Sequence, residues 1–166
     1  MIMASPAYLT IIDDQGQQVK ANVKIKGREG SAEVLAFNYD VEIPSDKNTG
    51  ALTAVRKHNA AVITKTFDSA SPVLFDAVCR GKTMQQMKLD WYQINDKGEE
   101  EVYFTHTLTG VKVVKLYQYM KNVKNPENDG YSHQEDVHVR FKKIEVKYPD
   151  GNIEASDDWT ESRTST

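Results

Sequence analysis

The sequence predicts a mainly β protein, an antiparallel β-barrel or two packed sheets, with one short α-helix. Three observations predict it. Apolar and polar residues alternate with period two over much of the chain, the signature of strands with one face buried and one in water. Turn residues recur between those runs, at Asp13–Gly16, Gly27–Ser31, Asn95–Gly98 and Pro149–Gly151. One stretch alone, ending at Gly81, carries helical spacing with start and stop signals. About eight regularly spaced strands and a single helix fit a barrel, or two packed sheets, with the helix plugging an open end or side.

Taken in order, residues 7–12 (AYLTII) read as a short strand. Residues 19–26 alternate cleanly: Val19, Ala21, Val23 and Ile25 face one way, and Lys20, Asn22, Lys24 and Lys26 face water. Residues 32–43 read as the best strand of the chain, with Leu35, Phe37, Tyr39, Val41 and Ile43 on one face, and Pro44 ends it. The polar run that follows is an exposed hairpin tip or a contact arm for a partner. Residues 52–67 return as strand.

The helix comes next. Ser71 suits the N-cap and Pro72 the first helical position. Leu74 with Val78, and Phe75 with Cys79, are spaced i,i+4 and form one apolar stripe with Ala77. A helix this short is unstable alone, so that stripe must dock on the sheet. Gly81 suits the left-handed C-terminal position.

Residues 84–94 and the strand from Glu101 onward make a hairpin around Asn95-Asp96-Lys97-Gly98. Gly110 marks a bulge. Asn122–Gln134 is a loop, and the last strand runs from Glu135 to Tyr148. Its inward face switches parity near Lys142-Lys143, which a one-residue bulge explains. Residues 1–154 form the expected domain; residues 155–166 are polar apart from Trp159 and are expected to fray.

Composition narrows the function. With 166 residues, 39% hydrophobic and 27% charged, the chain suits one domain with a real core. A net charge of −3 gives no electrostatic reason to expect nucleic acid or an anionic membrane surface. The start, MIMASPAYLT, lacks the basic and apolar regions of a signal peptide, so assembly in the cytoplasm is expected, with any export not using a cleaved signal. A single cysteine excludes an internal disulfide and a multi-cysteine zinc site.

Catalytic chemistry is sparse. The 4 histidines are joined by no cysteine or tight carboxylate cluster, so no metal site is expected. Gly81-Lys82-Thr83 follows a helix, whereas a phosphate-binding loop opens one, so it reads as a helix stop. Cys79 lies on the apolar helix face, where cysteine is an inert core residue. Asp157-Asp158 read as solvated charges of the tail. The aromatics Trp91, Tyr92, Tyr117 and Tyr119 read as cross-strand packing ahead of a sugar platform. No catalytic residue and no cofactor is expected. The mixed second face of residues 34–42, and Thr105, Thr107 and Thr109, suit sheet contact between subunits slightly better than an ordinary exposed sheet.

From Thr64 to Gly81, and on both sides of it, the sequence resembles the haemolysin-coregulated protein (Hcp) family, the tube subunit of bacterial type VI secretion systems. The residues that carry the resemblance are Arg56-Lys57-His58, Ile63-Thr64-Lys65, Asp68, Ala70-Ser71-Pro72, Leu74, Ala77 and Gly81. Glu100-Glu101 leading into Val102-Tyr103-Phe104, and Val137, Phe141, Lys143-Ile144 and Tyr148 in the last strand, extend it to about residues 5–150. Asn59-Ala60-Ala61 departs from it, since a proline is expected just after the histidine.

The resemblance implies an antiparallel β-barrel of two packed sheets with one short α-helix at the side, which assembles into hexameric rings that stack into a hollow tube. It implies a contractile sheath, a spike protein and a baseplate as partners, and effector proteins carried in the lumen. It places Ser45, Asp46, Lys47, Asn48, Thr49 and Gly50 in an arm reaching the next subunit or ring, and Leu74, Phe75 and Val78 on the helix face docked on the barrel. Deleting Asp46–Gly50 is then expected to spare folding and weaken stacking. A barrel binding a lipid or sugar is the competing class, and a small hydrolase, for which no nucleophile–base pair can be assembled, the weakest.

Overall fold

The computed structural model describes residues 5–159. A ten-stranded antiparallel sheet dominates it. The main staves are β1 (Ala7–Ile12), β7 (Ala61–Thr66), β8 (Thr83–Ile94), β9 (Glu100–Tyr119) and β10 (Gln134–Arg140), ordered β1-β8-β9-β10-β7. Their registers align the core: Ile11 faces Met87, Met87 faces Leu108, and Val137 faces both Leu116 and Ile63. Residues 32–38 close the barrel. β3 (Ala32–Glu33) pairs with β1 and β4 (Ala36–Asn38) pairs with β7. Between them Val34 N–H donates to Ala7 O and Leu35 N–H to Thr64 O. Leu9, Ile11, Ile63, Met84, Met87, Leu89, Leu108, Val111 and Val137 fill the interior, as side chains do in small barrels.

The expected single strand over 32–43 is therefore three short pieces, ending with β5 (Val41–Glu42). Phe37 and Tyr39 pack on the core, but Leu35, Val41 and Ile43 are exposed, because the chain leaves the main sheet after Asn38. β5 pairs with β6 (Lys57–His58) in a separate two-stranded ribbon. The expected strand over 19–26 shrinks to β2 (Gln18–Val19) against the end of β1. Beyond Lys20 the chain turns back on itself, with Gly30 N–H donating to Val23 O and Arg28 N–H to Ile25 O.

The last strand also divides. β10 pairs with the second half of β9 and β11 (Lys143–Tyr148) with the first half. The parity switch is thus a break between two strands, with Phe141 and Ile144 both buried. Gly110 lies on β9 where its partner changes, and Lys142 N–H donates to Thr109 O and Gly110 O. Its φ is +64°, and a Cβ there would lie 2.9 Å from the Lys142 Cβ, so only glycine fits without strain. Past the turn, β12 (Ile153–Asp158) pairs along the whole of β11. It crosses the expected boundary after residue 154, so residues 155–158 are paired in the sheet. Residues 160–166 of the expected tail lie outside the described residues.

Candidate assembly surfaces

The helix α1 (Ser71–Arg80) lies against β9, with Leu74 and Ala77 fully buried and Val78 packed on the core. Gly81 ends it at φ 64°. The N-cap is Ala70, not Ser71. The Ser71 hydroxyl has a different duty: it accepts from Asp68 N–H at 3.0 Å and donates to Glu135 Oε1 at 2.6 Å. Phe75 does not dock on the barrel. It is 59% exposed, because a ten-residue helix on a sheet buries a face only as wide as Ser71, Leu74 and Ala77. Cys79 beside it is exposed too, not a core residue.

Beneath the helix start lies a cluster that no local pattern reveals. Lys65, at mid-strand in β7, points into the core and is fully buried, as is Glu135 of β10. Lys65 Nζ donates to Glu135 Oε1 at 2.6 Å, Asp68 Oδ1 at 2.9 Å and Thr66 O at 3.0 Å. Glu135 Oε2 accepts from Gln118 Nε2 at 3.0 Å, and Asp68 Oδ1 from Ala70 N–H at 2.8 Å. A charge in the interior is tolerable only when paired and hydrogen-bonded, and this one is. The resemblance carries Lys65, Asp68 and Ser71 as sequence; the structure shows that together they fasten β7, β10 and the helix.

A second cluster ties the ribbon to the last strand. Arg56 Nε donates to Asp157 Oδ2 at 2.7 Å, and His58 Nε2 meets the same oxygen at 2.6 Å. On the other side of the ring, His58 Nδ1 and the Tyr39 hydroxyl share a hydrogen bond of 2.6 Å. Burial, and then the nearby Asp157 and Asp40 carboxylates, push the Tyr39 phenol up to about 12, so it stays protonated. Burial raises Asp157, but hydrogen bonds from Arg56 and His58 outweigh it and hold the carboxyl below the usual range. Asp157 is thus a structural acceptor rather than a solvated tail charge. The Trp159 ring lies 5.0 Å from the His58 ring.

Beside this cluster is an open groove of about 320 Å³. Its walls are Tyr39 and Val41 on the ribbon side and Ile144, Val146 and Ala155 on the β11–β12 side. Another exposed apolar surface is on the arm between β5 and β6. Asp46 organises the arm: its Oδ1 accepts from Asn48 N–H at 2.7 Å and its carbonyl from Gly50 N–H at 2.8 Å, an Asp-led turn. Ser45 bridges Leu52, and Thr53 N–H donates to Pro44 O at 2.9 Å. Lys47, Asn48 and Thr49 are exposed at the tip. The apolar points of the arm are Leu52 and Val55, 68% and 66% exposed.

At the barrel end near β4, His106 sits among aromatic rings, with Phe37, Trp91 and Phe104 within 5.2–5.8 Å of it. Trp91 Nε1–H donates to His106 Nδ1 at 2.9 Å, which sets the neutral tautomer with the proton on Nε2. Burial pushes this histidine below its ordinary value. Among the described residues no three His, Cys, Asp or Glu side chains gather as metal ligands.

Comparison with known proteins matches this architecture over almost its whole length. The model of the family described as "Type VI secretion system effector, Hcp" matches residues 8–148. The "Major exported protein" of Pseudomonas aeruginosa PAO1 is 34% identical, over 95% of this chain and 96% of that protein. A mutant of Hcp1 from Escherichia coli EAEC 042 is 43% identical, with a TM-score of 0.84 over 94% of this chain and 99% of that one. Hcp3 of Pseudomonas aeruginosa, a secreted protein, is 29% identical, with a TM-score of 0.77 over 95% of this chain and 100% of that one. The chain belongs to the Hcp family of the type VI secretion system.

Proposed function

We propose that this chain is the structural subunit of a type VI secretion inner tube, and not an enzyme. Hexameric rings stack into a tube, and sheath contraction propels it behind a spike, from a baseplate that nucleates it. Effector proteins travel in the lumen. The subunit assembles in the cytoplasm and leaves without a cleaved signal. The family match across residues 8–148 carries this reading. The physical chemistry agrees with it. The barrel interior is packed with side chains, and the Tyr39–His58–Asp157 chain of hydrogen bonds runs on to Arg56, joining the ribbon to β12. The arm around Ser45–Gly50 is the contact to a neighbouring subunit or ring. A ring is a closed head-to-tail contact and a stack an open one, so two different surfaces are needed.

The test is the native mass of the purified protein near neutral pH, at low and at high salt. Six times 18.8 kDa, with stacked multiples, is expected. A monomer that binds a lipid or sugar, seen as a ligand-dependent melting shift, contradicts the reading.

A further inference from the structure

A polar trough of about 550 Å³ opens on the outer face of β8 and β9, at Gly110, where β9 changes partner. Thr83, Gln85, Gln86 and Thr109 line it with Gly110. Their outward direction follows from their neighbours, since Met84, Met87, Leu108 and Val111 are buried in the core. Gly110 has no side chain to fill the floor. Among the described residues the side chains of Thr83, Gln86 and Thr109 make no hydrogen bond, so two hydroxyls and an amide are available to a ligand.

Four cations gather around this trough. Lys112 is in register with Thr83 on one side and Arg140 on the other. Lys143 is in register with Thr109. The stem of Lys142 lies over Gly110, whose carbonyl accepts from Lys142 N–H at 3.1 Å. All four are exposed. Arg140 Nη1 donates to His58 O at 3.4 Å. Lys112, Lys142 and Lys143 stand in no ion pair among the described residues, whereas Lys82 nearby is held by Asp76 at 2.8 Å. The carboxylate in register with the group is Asp158, opposite Lys143. Like charges crowded this way favour an incoming anion.

We propose that this trough docks a short, extended, acidic segment of a partner protein. The segment's backbone bonds to Thr83, Gln86 and Thr109, and its carboxylates meet Lys112, Lys142 and Lys143. The volume lies within that of small-ligand sites and has room for a few residues. Charge sets the length. The chain carries a net charge of −3 although four cations sit here, so the rest of its surface is acidic overall. A long polyanion such as nucleic acid meets repulsion beyond the trough, whereas a short segment ends before it. A site on this face is independent of the tube-subunit reading.

The test uses the full chain and a fluorescein-labelled hexaglutamate peptide, read by fluorescence anisotropy at low and at near-physiological salt. Saturable binding that weakens with salt is expected. Lys112→Gln with Lys143→Gln should weaken it roughly tenfold. Lys20→Gln with Lys24→Gln, an exposed pair beside another open cavity, should leave it unchanged. Both double variants lose the same charge, so the comparison separates place from charge. No binding overturns the proposal, and so does an equal loss in the two variants. Hexaglutamine binding as tightly as hexaglutamate overturns it as well. A thymidylate hexamer binding more tightly than the peptide assigns the face to nucleic acid and overturns it too. If the first double variant melts lower than the parent, Lys112→Arg with Lys143→Arg keeps the charge and must bind as the parent does. Peptide binding and native mass are separate readouts, so failure of one leaves the other standing.

Discussion

Two clusters of opposite charge hold this molecule together, and burial separates what they do. In one, Lys65 and Glu135 meet at 2.6 Å with side chains 1% and 0% exposed. In the other, Arg56 and Asp157 meet at 2.7 Å with side chains 20% and 19% exposed. The chemistry is the same, a cation on a carboxylate with further hydrogen bonds. The first joins the barrel staves to the helix, where water cannot replace a lost partner. The second joins the β5–β6 ribbon to β12, at a seam that water reaches. The first is expected to be a condition of folding, and the second to fix the ribbon against the last strand.

The largest effect expected is therefore at Glu135. Glu135→Ala takes one of the two carboxylates described on the buried Lys65 ammonium and leaves it with Asp68, a loss of about 3–5 kcal/mol, measured by urea denaturation. Replacing both, as Lys65→Met with Glu135→Leu, recovers most of that stability if the burden is the under-compensated charge. A double variant as unstable as the single would show instead that the cluster's hydrogen bonds to Asp68 and Ser71 are what the fold needs. Next comes Leu74, fully buried beneath the helix. Leu74→Ala opens a cavity and is expected to lower stability by about 2–5 kcal/mol. An unchanged melting temperature with lost assembly would place Leu74 at an interface.

His106 sharpens the comparison through pH. Its folded value lies below the ordinary 6.5 because of burial, so the unfolded chain takes up the proton first. Stability is full above about 6.5 and is lost as pH falls from there toward the folded value. Melts at pH 7.5 and pH 5 should show the loss, and His106→Gln, whose amide oxygen can still accept from Trp91, should reduce it. Asp157 acts lower, below its ordinary 3.8, and does not enter that window. The smallest effect on the fold is expected at Phe75. Phe75→Ser should change stability by no more than about 0.5 kcal/mol, because the ring is already in water.

Much of the barrel was legible, and the misses share a cause. Alternation in β8 and β9 marked real strands: β8 pairs with β9 along almost all its length and with β1 over Gln86–Trp91, and the other side of β9 takes β11 and then β10. Alternation over residues 32–43 promised a strand of equal length. Of the face Leu35, Phe37, Tyr39, Val41 and Ile43, only Phe37 and Tyr39 reach the core, because the partner strand β7 stops short of β5. β12, IEASDD, has no apolar rhythm and is a strand only because β11 lies beside it. The helix ends were readable from Pro72 and Gly81, but the exposure of Phe75 depends on how narrow the docked face is. Lys65 and Glu135 are 70 residues apart, and nothing local to either predicts a buried pair. The arm stood out as polar and glycine-containing, whereas the groove is assembled from four strands and exists only in the fold.

The separation of folding from assembly is tested most directly by deleting Asp46–Gly50 and measuring melting temperature and native mass on the same sample. The arm lies outside the main sheet, so an unchanged melting temperature with loss of the large oligomer is expected. Full-sized assemblies from the deleted protein, or a melting temperature that falls as far as that of Leu74→Ala, would contradict it.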